Sequence, residues 1–110
     1  MKDRVRAFLN DGGDFEVLAM QLYQWQRMNN PEYDRFCGEV NVQHWTEIPA
    51  VPTTLFRDLN FTSFPVSEAT HVFRTSGTTA GARGAIHLMD TEMYDLSSRR
   101  HAERCLGPLP

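Results

Sequence analysis

Thr70-His71-Val72-Phe73-Arg74-Thr75-Ser76-Gly77-Thr78-Thr79-Ala80-Gly81-Ala82-Arg83-Gly84-Ala85-Ile86-His87-Leu88-Met89 decides how this chain is read. Its two ends are rich in β-branched and large apolar residues and predict two short strands. Its middle, residues 75–84, gathers hydroxyls, glycines and one cation into ten consecutive positions. That middle is too polar for a buried strand and too rich in glycine for a helix interior. Glycines let successive backbone N–H groups converge on one point. Ser76, Thr78 and Thr79 add short hydroxyl donors, and Arg83 adds a permanent charge with a forked donor set. A phosphate is the anion that uses such a set best. On composition alone, a ligand-free Ser/Thr/Gly turn accounts for the segment equally well.

The spacing separates this loop from two better-known phosphate binders. A Walker loop needs Gly, four residues, then Gly-Lys-Ser/Thr running into a helix. A dinucleotide fingerprint also opens a helix. Here a strand follows the glycines, so neither fits.

Working outward, Asp90 or Thr91 is expected to cap a helix through about Cys105, with Glu92 in its first turn. Gly107 and Pro108 are helix-stop residues. Upstream, residues 2–9 predict a short helix that ends at Asp11-Gly12-Gly13. Asp14 caps a stronger one, in which Phe15, Leu18, Leu22, Trp25 and Met28 recur every three or four residues as one apolar stripe. Asn30 and Pro31 read as the N-cap and first position of a third helix, carrying Tyr33 and Phe36 and stopped by Gly38. Pro49 and Pro52 force extended backbone at Ile48 and Val51. Thr53 is expected to cap a helical turn turning Leu55, Phe56 and Leu59 inward, and a short strand is expected over residues 60–64. The expected class is α/β: residues 1–64 mainly helical, then strand–loop–strand–helix over residues 65–110.

The totals bound the function classes. At 110 residues the chain is long enough for one domain with a core. With 41% hydrophobic and 23% charged residues it reads as an ordinary globular chain. A net charge of −3 gives no electrostatic footprint for nucleic acid. No apolar run reaches membrane-spanning length, and no basic-plus-apolar leader opens the chain. Cys37 and Cys105 form no C-x-x-C motif, so no metal site is read from spacing, and a cytoplasmic setting with free thiols is expected.

Ser76-Gly77-Thr78-Thr79 followed by Arg83-Gly84 resembles the phosphate-binding signature of adenylate-forming (AMP-binding) enzymes, usually S-G-T-T-G-x-P-K-G. Within that superfamily the chain is most similar to acyl-protein synthetases of the bacterial luminescence type. The cues are Ile48-Pro49-Ala50-Val51-Pro52, Leu55-Phe56-Arg57, Phe73-Arg74-Thr75-Ser76-Gly77-Thr78-Thr79, and His87 through Asp90 with Tyr94. Together they span about residues 20–100. Ala80 stands where the family has Gly, Ala82 where it has Pro, and Arg83 where it has Lys.

The resemblance implies an ATP-dependent ligase that activates a fatty carboxylate as its acyl-adenylate and passes the acyl group to a protein thiol. It implies ATP and Mg2+ as cofactors, with Thr75, Ser76, Gly77, Thr78, Thr79 and Arg83 holding the β- and γ-phosphates. It implies a carboxylic (fatty) acid as substrate and an acyl-reductase, or the remainder of a longer enzyme, as partner. Family members are several times longer, with adenine site, ribose site and catalytic lysine beyond this loop. The chain is therefore expected to be the N-terminal portion of such an enzyme, inactive alone, with no catalytic acid, base or nucleophile of its own. The alternative is a truncated, non-catalytic binding or interaction module.

Other reactive side chains are expected to be structural. His101 and Cys105 can share a helix face, but without a third group Cys105 reads as a small buried residue, as does Cys37. His87 reads as a half-buried sheet residue, Trp25 and Trp45 as packing anchors, and Arg99-Arg100 as a solvated helix end.

Overall fold

The computed structural model describes residues 1–74 and 84–108. Three helices come first: α1 (Lys2–Asp11), α2 (Phe15–Asn29) and α3 (Pro31–Cys37). Three short 3₁₀ turns follow, at Trp45–Glu47, Thr53–Arg57 and Val66–Glu68. Then come β1 (His71–Arg74), β2 (Ala85–Leu88) and α4 (Glu92–Leu106). The outcome is a mixed helix and strand fold, helical at the front, with one two-stranded antiparallel sheet.

Local chemistry places most of these boundaries. The Asp14 carboxylate accepts the Val17 N–H at 3.2 Å and starts α2. Asn30 ends α2 and starts α3: its side-chain oxygen accepts the Tyr33 N–H, and Pro31 occupies the first turn. Arg27 then fastens the two helices together. Its guanidinium donates to Asp34 at 2.7 Å, to the Tyr23 hydroxyl at 3.2 Å and to the Gly38 carbonyl at 2.6 Å.

Several local expectations differ from the structure. Thr53 is not a cap: Pro52 precedes the turn, and no side-chain cap bond forms there. No strand forms over residues 60–64, where Thr62 donates its hydroxyl to the Phe64 carbonyl and bends the chain instead. Of the two expected caps of α4, Asp90 serves, its carboxylate accepting the Glu92 N–H at 3.0 Å, while the Thr91 hydroxyl donates to Asp95. The α2 stripe is only half a core. Phe15 is 51% and Met28 85% exposed, and the side chain that α2 does bury is Tyr23, edge-on to Tyr33. Cys105 is exposed, whereas Cys37 is buried as expected.

Helices α1 and α4 lie side by side and run in the same direction. Lys2 bonds Asp90 and Glu92 at one end of the pair, Arg6 bonds Glu92, and Arg100 bonds Asn10 at the other. Parallel dipoles do not favour this arrangement. The charges on the facing sides do: two cations of α1 meet the carboxylates at the start of α4. Arg100 is thus a cross-helix tie and not a solvated end, with its Nε buried and unpartnered.

Candidate phosphate-binding hairpin

The register of the sheet pairs His71 with Leu88, Val72 with His87, Phe73 with Ile86 and Arg74 with Ala85. The last rung, Arg74–Ala85, is the end of the ladder from which the hydroxylated segment leaves and to which it returns. The strand–loop–strand arrangement expected from the sequence is therefore present in its strands. Thr75, Ser76, Gly77, Thr78, Thr79 and Arg83 themselves lie outside the described residues. Gly84, the first described residue after them, is buried.

Alternation along paired strands divides the hairpin into two faces. One carries His71, Phe73, Ile86 and Leu88, and Phe73 meets Tyr94 of α4 edge-on, with ring centroids 5.1 Å apart. The other carries Val72, Arg74, Ala85 and His87. This second face has a basic side chain on the last rung and an imidazole, half-buried as expected, on the rung diagonal to it. Among the described residues Arg74 enters no ion pair, and it stands on the rung next to the loop. Arg74 was not assigned a phosphate-binding role by motif position. The period-two pattern of the strand, read outward from the glycines, would have found it.

The other cations nearby are neutralised. Lys2 contacts Asp90 at 2.7 Å and Glu92 at 2.9 Å, and Arg6 contacts Glu92 at 2.6 Å. Hydrogen bonds from Lys2 hold the carboxyls of Asp90 and Glu92 below their ordinary range. The start of α4 is thus an acidic, paired junction and not a second anion site.

Two cavities flank this frame. One, of about 360 Å³, lies among the helices and is walled by Phe8, Phe15, Leu18, Leu22, Tyr33 and Ile48. Its lining is almost wholly apolar, and the Tyr33 hydroxyl beside it is committed to the Pro49 carbonyl at 2.8 Å. The other, of about 550 Å³, runs between Trp25, Phe64, Leu88 and Met93, with the Lys2–Asp90 pair at its rim. Trp25 serves there as the packing wall expected of it, and Trp45 packs its ring edge-on to Phe15 at 5.2 Å.

Among the described residues no group of three or more His, Cys, Asp or Glu side chains is placed to hold a metal ion. No described helix is long and apolar enough to cross a membrane. The described residues thus present an antiparallel strand pair flanking the hydroxylated segment, and an apolar cavity among the helices. Comparison of the chain with protein-family models, with curated proteins and with solved structures finds no match.

Proposed function

We propose that this chain is the N-terminal portion of an ATP-dependent ligase of the acyl-protein synthetase type, which activates a fatty carboxylate as its acyl-adenylate for transfer to a protein thiol. The observation that carries the reading is the hydroxyl- and glycine-rich segment joining the last rung of an antiparallel strand pair, with Arg74 on that rung. In this reading Thr75, Ser76, Gly77, Thr78, Thr79 and Arg83 donate to the β- and γ-phosphates of Mg·ATP, and Arg74 adds charge at the mouth. Their work is to neutralise the polyphosphate so that pyrophosphate can leave. The cavity between α1 and α2 supports a hydrophobic acid as substrate, because its lining is almost wholly apolar.

A second reading, a non-catalytic binding module, is favoured by the apolar side chains left open on the hairpin and α4. Val72, Phe73, Ile86, Tyr94 and Leu106 are all exposed.

Thermal unfolding with Mg·ATP separates the two. A ligand at ten times its Kd stabilises the folded state by about 1.4 kcal/mol, several degrees in Tm for a domain of this size. Mg·ATP is expected to raise Tm, AMP is expected to raise it far less, and the Thr78→Ala/Thr79→Ala variant is expected to lose most of the ATP effect. Absence of any ATP shift, or a shift untouched by the double substitution, would overturn the nucleotide reading and leave the module.

A further inference from the structure

We infer that His101 and Cys105 form a two-ligand site for a soft divalent cation of the zinc class on the exposed face of α4. The pair is separate from the hairpin and plays no part in the proposed nucleotide chemistry. The two residues lie one helical turn apart, and the Cys105 Sγ stands 3.7 Å from the His101 Nε2. A tetrahedral zinc ion, with bonds of about 2.3 Å to sulfur and about 2.0 Å to nitrogen, holds those two atoms about 3.5 Å apart. The 3.7 Å contact is a thiol–imidazole hydrogen bond, and an ion bound by both atoms would replace it at a similar separation.

Three further features agree. Both residues are exposed, so an ion can reach them. Among the described residues neither side chain has another hydrogen-bond partner, whereas His44 and His71 each place their Nδ1 against a threonine hydroxyl. The pair also sits in the last turns of α4, where the helix carbonyls favour positive charge. Thiolate and imidazole together select zinc-class ions over calcium or magnesium.

No third described ligand stands nearby, so the remaining two positions are filled by water or by the same pair of a second copy. Two copies would give a Cys2His2 set. Binding deprotonates the thiol and releases a proton.

The test uses the whole reduced chain and cobalt(II) as a spectroscopic probe, with zinc added in competition. The expected result is a sulfur-to-cobalt charge-transfer band that zinc abolishes, with one ion per chain if water completes the shell and one per two chains if a second copy does. Cys105→Ser is expected to remove the band. His101→Ala is expected to weaken binding by on the order of tenfold to a hundredfold, at least the cost of losing a ligand's supporting partner. Both positions are exposed, so both variants should keep the helical circular dichroism of the parent. Cys37→Ser serves as the control and should keep the band. No charge-transfer band, or one that survives Cys105→Ser, would overturn the assignment.

Discussion

Asn30 is only 5% exposed, yet every part of it is used. Its backbone N–H donates to the Gln26 carbonyl at 2.8 Å, closing α2. Its side-chain oxygen accepts the Tyr33 N–H, opening α3, and its side-chain amide donates to the Gln26 side chain at 3.1 Å. One residue thus sets the angle between the helices that wall the apolar cavity. Asn30→Ala removes the cap and leaves the Tyr33 N–H unpaired, and should cost about 1–2 kcal/mol in urea unfolding. Asn30→Asp keeps the cap acceptor but loses the amide donor to Gln26, and should recover only part of that loss. Tyr23, 8% exposed, is the other single-residue test. Tyr23→Ala empties the best-buried aromatic position of the helical part and should cost about 3 kcal/mol.

At the scale of elements, ion pairs tie α1 to the start of α4, and the Arg100–Asn10 bond joins them further along. Neither helix has a buried residue. Hydrogen bonding to Lys2 depresses the carboxyls of Asp90 and Glu92, and hydrogen bonding to Asp90 raises Lys2. The sign follows from linkage. Depressed carboxyls contribute stability above their unfolded values of about 4, and that contribution is lost as pH falls through the lower folded values. The raised ammonium contributes below its unfolded value of about 10.5 and fades as pH rises through the folded one. Unfolding followed from pH 7 towards pH 3 should therefore show a steeper loss of stability in the parent than in Glu92→Gln, and added salt should shrink the difference. These pairs are exposed, so the effect should be modest.

The elements held by local chemistry were legible in the sequence. Asp14, Asn30-Pro31 and Gly38 bound α2 and α3 because capping needs only neighbours. Both strands and α4 also fall where β-branched runs and glycine stops placed them. What was not legible depends on distant partners. The burial of Tyr23 in place of Phe15 comes from packing against Tyr33 of the next helix, and the bond from Arg100 to Asn10 joins residues ninety positions apart. The candidate site was legible as a motif with its flanking strands, and Arg74 joins it through the register that pairs it with Ala85.

At the scale of the whole molecule, the chain is more open than its length requires. Its Cα radius of gyration is 15.8 Å, against about 13 Å for a compact domain of this size. Its accessible surface is 7874 Å², against about 6,200 Å² for a typical monomer of this mass. The only hydrophobic side chains buried among the described residues are Tyr23 and Cys37. A fold with so small a core has little stability in reserve, so ligands should register strongly in its unfolding. The claim on which the functional account rests is that the hairpin's hydroxylated segment grips a polyphosphate, and phosphorus-31 NMR of Mg·ATP titrated with the chain tests it most directly. The β- and γ-phosphate lines should shift and broaden more than the α line, and Thr78→Ala/Thr79→Ala should reverse this. Lines that stay unmoved at high protein concentration, or that move alike with both proteins, would contradict it.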